Sequence, residues 1–333
     1  MNLRFPKILV TGAAGFAGGH LVRELLANGH EVFTTDVGGA TASRLAATNP
    51  QPARRDAVAL PNYRQCDLRD RDALKALFRE TAPDACAHLG AISFVPDGDT
   101  HPENLLTINI AGAVNVAEAI RSECPKSRLL FVSSAQIYGP VTSTRTANVP
   151  IRENAPPMPL SMYSISKVAA ENAVLAFGAA YGFEALIARP ANHTGPGQSP
   201  KFVAVSFAEQ MLAAKRGEIS EMRVGNLESI RDFTDVRDVA RAYRLIIERG
   251  HNGLAYNITT NARVKIGELL SLLGEIVGVS PTITTDPALY RPSDASLRLD
   301  VSRLKEHTGW TPQYNLRRTL EDIVATLEPR KCE

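Results

Sequence analysis

A chain of 333 residues, 44% hydrophobic and 22% charged, can hold one large domain or two moderate ones around a sizeable core. Its net charge of +2 is too small to point to a nucleic-acid partner, and no apolar run approaches the roughly 20 residues of a membrane span. Cys66, Cys86, Cys124 and Cys332 are scattered, and the histidines show no H-x-H or H-E-x-x-H spacing, so reduced thiols, a cytoplasmic location and no metal site are expected.

The N-terminus, Met1-Asn2-Leu3-Arg4-Phe5-Pro6, runs straight into a short apolar strand over 7–11 and reads as carrying no signal peptide. Gly12-Ala13-Ala14-Gly15-Phe16-Ala17-Gly18 follows, then a helix over 20–28 closed by Gly29. Gly12, Gly15 and Gly18 allow a tight turn, close approach of backbone to a pyrophosphate, and close packing of helix on strand. The helix start, with Phe16 and Ala17, offers N–H groups and partial positive charge to phosphates. A second strand over 31–36 ends in Asp36, about 20 residues beyond the loop, where a carboxylate accepts hydrogen bonds from an adenosine ribose. An acid there disfavours the extra phosphate of NADP and tilts the expectation toward NAD; a solvated strand-end aspartate is the alternative.

Residues 38–60 form a stretch with a short helix expected at 43–47 and Arg54-Arg55 on a solvated loop face. A third strand over 63–66 leads to Asp67-Leu68. Asp67 either meets an adenine amino group or caps a helix. An amphipathic helix over 70–80 precedes a fourth strand, 85–91, ending in Leu89-Gly90-Ala91, which leaves room for a flat cofactor. His88 reads as a satisfied strand histidine. A long helix over 105–122 carries Asn109 and Gly112. The fifth strand, 129–133, places Ser134 at its carboxyl end, where ligands bind in open α/β sheets.

A Pro-rich loop over 149–159 leads to Leu160-Ser161-Met162-Tyr163-Ser164-Ile165-Ser166-Lys167 and an Ala-rich helix over 168–180. A helix puts Tyr163 and Lys167 on one face, one turn apart. Free tyrosine has a pKa of about 10, and a neighbouring ammonium is expected to stabilise the phenolate and lower that value. A helix whose Tyr and Lys both point outward is the alternative this pair alone leaves open. A sixth strand, 184–189, ends at Pro190. The alternation of strands and helices predicts an α/β class, a Rossmann-like doubly wound parallel sheet.

After Pro190 the character changes. A polar loop over 191–198, helices over 202–216 and 239–248, and a strand over 254–258 that returns to the sheet are expected. Helices over 266–277 and 316–327 complete a smaller cap over the sheet's carboxyl edge. The expected division is a dinucleotide-binding domain over 1–190 with a returning segment 229–258, and a substrate-binding domain over 191–228 and 259–333.

Taken together, Gly12-x-x-Gly15-Phe16-x-Gly18, Ser134 and Tyr163-x-x-x-Lys167 resemble the extended short-chain dehydrogenase/reductase family from about residue 7 to about residue 327. These are nucleotide-sugar epimerases, dehydratases and reductases. The resemblance implies Ser134, Tyr163 and Lys167 as catalytic residues. It implies NAD(H) or NADP(H) held by the glycine loop, Asp36, Asp67, Leu68, Leu89, Gly90, Ala91, Asn109 and Pro190, with Tyr163 and Lys167. It also implies a homodimer formed through the helices holding Asn109 and Tyr163. Segments 188–198, 202–203, 224–228 and 231–236, with 291–294 and 308–310, are most similar to the family's reductases of GDP-linked 4-keto-6-deoxyhexoses. That implies a GDP-sugar partner, with Arg231 and Arg291 on its diphosphate and Asn192 on a phosphate or sugar oxygen. Ion pairs with neighbouring aspartates, and a turn cap for Asn192, are the plain alternatives. His193 is expected to anchor its loop.

Family dehydratases carry a carboxylate two residues after the catalytic Ser/Thr, because elimination needs a base at C5. Gln136 stands there, so dehydratase activity is not expected. Met162, where a proline often precedes the tyrosine, and Ser93-Phe94 depart from the reductase pattern. A 4-epimerase with retained NAD, and a protein that binds dinucleotide without catalysis, are the competing readings.

Overall fold

The first strand, β1 (Lys7–Thr11), has an apolar middle, and Ile8, Leu9 and Val10 are fully buried. A strand with no solvated face needs layers on both sides, and the chain supplies them. The structure, a computed structural model, describes residues 4–38, 60–93, 100–140, 149–290 and 297–328. The expected helix at 43–47, Arg54-Arg55, Phe94, Arg291 and Cys332 lie outside the described residues.

In chain order, α1 (Phe16–Ala27), β2 (Glu31–Asp36), β3 (Tyr63–Gln65), α2 (Arg71–Thr81) and β4 (Ala85–His88) follow β1. A helical run comes next: α3 (Pro102–Leu106), a π-helical turn (Thr107–Ala111) and α4 (Gly112–Glu123). Then come β5 (Arg128–Val132), α5 (Met162–Tyr181) and β6 (Ala185–Pro190). The second half contains β7 (His193–Thr194), α6 (Val203–Lys215), β8 (Glu221–Val224), β9 (Ile230–Asp232), β10 (Thr234–Asp235), α7 (Val236–Arg249) and β11 (Ala255–Ile258). It closes with β12 (Arg263–Lys265), α8 (Ile266–Val277), β13 (Thr282–Thr285), α9 (Ser302–Thr308) and α10 (Leu316–Leu327).

Seven strands form one parallel sheet in the order β11-β6-β5-β4-β1-β2-β3. The order reverses beside β1, and there the carboxyl ends of β1 and β4 part to leave a crevice. One face buries α1 and α7 against Ile8, Val10 and Leu130. The other buries α2, α4 and α5 against Leu9, Leu129 and Phe131. The doubly wound sheet and the return of β11 agree with the sequence reading.

Of the boundaries that differ, three have a packing reason. Helix α1 starts at Phe16, four residues before the expected 20, so Gly18 and Gly19 are helical and buried. Close packing of the helix on its strand outweighs the roughly 1 kcal/mol propensity cost of each glycine. The expected helix over 105–122 begins at Pro102 and changes pitch at Thr107–Ala111. Asn109 sits in that turn, and its side chain meets Ile92 N, Ile92 O and Ser166 Oγ at 2.8, 3.1 and 3.0 Å. π turns of this kind re-aim a side chain within an otherwise regular helix.

The third difference concerns the cap. Its core gathers α6, α8 and α10, with Phe207, Met211, Leu270, Leu273 and Leu320 buried together. Strand β9 pairs with β12, so the returning segment begins after residue 232 rather than at 229. Segment 302–310, expected in the cap, packs on the sheet instead. Leu304 and Trp310 share a core with Ile8 and Tyr243, and Trp310 Nε1 donates to Asp238 O at 2.9 Å. The segment is too short for its periodicity to reveal which layer it covers.

Candidate active site

Helix α5 opens with Ser161, whose Oγ accepts from Ser164 N at 3.1 Å while Ser164 Oγ accepts from Ser161 N at 3.0 Å. This reciprocal cap fixes the first turn, where Tyr163 stands. Lys167 lies one turn on. Both are buried, at 8% and 4% exposure, so the outward-pointing alternative does not hold. Lys167 Nζ donates to Val132 O at 2.9 Å, at the end of β5. Ser134 follows that strand, and its Oγ accepts from Gln136 N at 3.1 Å. The Ser134 hydroxyl also stands close enough to the Tyr163 phenol to pull its pKa down. The fold thus joins the strand end and the helix start at one phenol.

The expected low tyrosine pKa is overturned. Burial pushes Tyr163 up to about 12, against the opposing pull of Ser134. The Lys167 ammonium donates to the Val132 carbonyl, with its nitrogen 5.8 Å from the Tyr163 ring centroid, so its charge reaches the phenol only at long range. Desolvation therefore wins over the cation. The same burial pushes Lys167 down to about 8. At neutral pH the site holds a protonated phenol beside a charged amine.

These groups open onto a cleft of about 1470 Å³. Single-ligand pockets run to about 1,000 Å³, so this one has room for a dinucleotide and a second ligand. Gly12, Gly15, Phe16, Ala17 and Gly18 line one end; Leu68, Leu89, Gly90 and Ala91 line its flank. Ser134, Tyr163, Lys167, Pro190, Asn192 and Arg231 line the other end. Asp36 also faces the cleft, its Oδ2 accepting from Ala14 N at 3.2 Å and its Oδ1 from Val37 N at 2.7 Å. Asp67 is engaged by Arg69, Nη2 to Oδ2 at 2.6 Å, and the cap of α2 is Asp70 instead. Asn109 is not among the lining residues: its amide ties Ile92 to α5, so it supports the cleft wall from behind rather than facing the dinucleotide.

His88 is the satisfied strand histidine expected. Its Nδ1 meets Thr11 Oγ1 at 2.6 Å, and burial pushes its pKa down to about 3. Arg231 Nη1 donates to Ile230 O at 3.1 Å, with the side chain half-buried in the wall.

Sequence reasoning missed Thr35, Ser133 and Tyr243. All three line the cleft, and their hydroxyls are buried without a hydrogen-bond partner among the described residues. Thr35 and Ser133 had a signal in standing next to Asp36 and Ser134; Tyr243, inside α7, had none.

The cleft fits a dinucleotide. Helix α1 points its start into it, and no side chain caps the Gly15 end, so the first N–H groups are offered to phosphate. Orphaned hydroxyls and a strand-end carboxylate stand along the same wall. Among the described residues no group of three or more His, Cys, Asp or Glu could hold a metal ion, and no helix is long and apolar enough to cross a membrane.

A family model described as GDP-mannose 4,6 dehydratase matches residues 9–323. The chain is 34% identical over 329 residues to a GDP-6-deoxy-D-mannose reductase of Pseudomonas aeruginosa, covering 98% of this chain and 99% of the relative. It is 31% identical over 330 residues to a UDP-glucose 4-epimerase of Mycolicibacterium smegmatis, covering 97% of each. Among solved structures, RMD from Pseudomonas aeruginosa complexed with NADPH superposes with a TM-score of 0.81 at 32% identity, over 96% of this chain and 98% of that one. The UDP-glucose 4-epimerase of Thermus thermophilus in complex with NAD superposes at 0.79 and 30% identity, over 96% and 98%.

Proposed function

The chain belongs to the GDP-mannose 4,6-dehydratase family, within the extended short-chain dehydrogenases/reductases, and on that premise we propose that it reduces the C4 ketone of GDP-4-keto-6-deoxy-D-mannose with NADH or NADPH, giving GDP-D-rhamnose. The observation that carries the choice of reduction is the distribution of acids. The carboxylates lining the cleft, among the described residues, are Asp36 and Asp67, both at the β2–β3 edge. Beside Ser134 stand Ala135 and Gln136, and an amide cannot take the C5 proton that elimination requires. A phenol held protonated by burial suits the opposite task, delivering a proton to an oxygen.

A bound reduced nicotinamide supplies the hydride for C4. Tyr163 gives its proton to O4 as charge develops there, and Ser134 hydrogen-bonds the same oxygen. Lys167 stabilises the phenolate that proton transfer leaves behind. Gly12, Gly15 and Gly18 hold the pyrophosphate against the start of α1. Leu68, Leu89, Gly90, Ala91 and Pro190 wall the adenine and nicotinamide sides. Asp36 accepts from the adenosine ribose and favours NADH over NADPH, although a solved relative is complexed with NADPH. Arg231 takes the GDP diphosphate and Asn192 a phosphate or sugar oxygen, with Arg291 contributing from outside the described residues.

The test is product analysis by mass spectrometry. GDP-mannose, a separate 4,6-dehydratase, this protein and each reduced dinucleotide are incubated together. A GDP-6-deoxyhexose formed with consumption of NADH or NADPH is expected, with none from GDP-mannose when the separate dehydratase is left out. Conversion of GDP-mannose by this protein alone would sink the reading. Oxidised dinucleotide retained through purification, with no consumption of the reduced form, would favour the 4-epimerase reading that the Mycolicibacterium relative suggests.

The pH profile follows from Lys167, whose ammonium titrates near 8. Below that value the charge is present and the nascent phenolate is stabilised; above it the amine is neutral and the support is lost. Turnover should therefore fall as pH rises through about 8, and Lys167→Met should be slow and lack that limb. A flat profile between pH 7 and about 9 would remove Lys167 from this role. A homodimer through α5 and the helical run that carries Asn109 also belongs to this reading. It is supported by Ile165 and Tyr181, which are 42% and 52% exposed on α5. A monomer in sedimentation equilibrium at micromolar concentration would exclude it.

A further inference from the structure

The helix that receives the dinucleotide also holds the loop assigned above to the nucleotide sugar. Phe16, the first residue of α1, lays its ring flat against His193, with centroids 6.0 Å apart and an interplanar angle of 7°. One turn along α1, His20 meets the same Phe16 ring edge-on at 5.5 Å and 81°. His20 Nε2 then bonds Pro196 O at 2.9 Å. A carbonyl only accepts, so His20 carries its proton on Nε2 and donates. Loop 191–198 is thus fixed to α1 at two points, the ring of His193 and the carbonyl of Pro196. Asn192 and Gln198 sit within that loop and line the cleft. Gln198 Nε2 donates back to His193 O at 2.9 Å, which keeps the loop folded as one piece.

From this we propose that His20 and Phe16 are positioning residues for the nucleotide sugar: acting through His193 and Pro196, they hold the loop that presents Asn192, so α1 determines affinity for the second ligand as well as for the dinucleotide. The inference rests on the reductase reading for the identity of that ligand. His20 itself does not line the cleft. Its loss should therefore leave the chemistry and the dinucleotide untouched while loosening the loop. The loop keeps its short pairing with β10, Thr234 to His193 and Asp235 to Thr194, so it is displaced rather than unfolded.

The test uses the full-length protein and two probes, GDP and NADH, each titrated by calorimetry, with steady-state kinetics on the keto sugar. In His20→Leu, which keeps bulk but cannot donate, the Kd for GDP and the KM for the sugar nucleotide should both rise about three- to tenfold, the value of one hydrogen bond. The Kd for NADH and kcat should stay within about twofold of wild type. His20→Gln, whose amide can donate to Pro196, should restore most of the loss. A merely structural role would lower thermal stability and depress both ligands together, and that result would overturn the proposal. So would GDP affinity and KM unchanged in His20→Leu. Should that variant not fold, His20→Asn, whose shorter amide does not reach Pro196 O and which likewise lies off the cleft lining, carries the same expectation for GDP and the same overturning result. A wild-type protein that binds NADH but not GDP would sink the reductase reading, and this inference with it; equal GDP binding in wild type and His20→Leu sinks the inference alone.

Discussion

Tyr163→Phe is expected to lower turnover by about 10²–10⁴-fold while leaving reduced dinucleotide bound as before. The substitution removes one oxygen. The ring it leaves behind is buried at the start of α5, held by the Ser161–Ser164 cap and not by the hydroxyl, so the geometry of Lys167 and Ser134 should survive. What is lost is the proton. Burial keeps the Tyr163 phenol loaded far above neutral pH, and no other acid on the described wall stands beside Ser134. Ser134 can still hydrogen-bond the developing oxyanion, so residual activity above background is expected. Single-turnover oxidation of bound NADH, followed at saturating sugar nucleotide, separates the chemical step from binding. Turnover within about tenfold of wild type would exclude Tyr163 as the acid.

Gly18→Ala should abolish dinucleotide binding at concentrations that saturate the wild type, and lower the unfolding temperature. A Cβ at Gly18 would lie 2.1 Å from Gly12 O and 2.9 Å from Ala13 Cα. Both are backbone atoms of the turn proposed above as the pyrophosphate site, and neither belongs to a side chain that can rotate away. Relief must come from parting α1 from the loop, which displaces the N–H groups on offer to phosphate. Gly12 leaves little slack: its φ is +71°, and its own Cβ position would be 2.6 Å from Gly90 N. Gly29→Asn is the control. Gly29 has φ +83° with nothing within 4 Å, a conformation that asparagine tolerates. It should bind normally. Equal dinucleotide affinity in Gly18→Ala and wild type, by fluorescence titration, would show that the loop is not the phosphate site.

The family matched is named for a dehydratase, yet Gln136 and Ala135 stand where elimination needs an acid-base group. The fold supports several chemistries, and the choice among them lies in the few side chains beside C4 and C5 of the sugar. A protonated phenol with no carboxylate beside it among the described residues is equipped to end a reduction and not to begin an elimination.

The parallel sheet, the glycine loop and the Ser134, Tyr163 and Lys167 constellation were legible in the sequence because each is a local pattern. Apolar runs such as Ile8 to Val10 mark strands buried on both faces, glycine spacing marks a turn that admits phosphate, and a four-residue step marks one helix face. What only the tertiary structure decided depends on distance between segments far apart in the chain. It set the sign of the Tyr163 shift, because a pKa answers to desolvation and to where the lysine's ammonium actually points. It turned Asn109 from a cofactor contact into a brace for Ile92 and Ser166, and it carried Trp310 back onto the sheet. It brought Tyr243 to the cleft and His193 onto Phe16, neither of which any spacing announces. Residue order fixes which groups are available; burial and proximity, which exist only once the layers close, fix what state those groups are in.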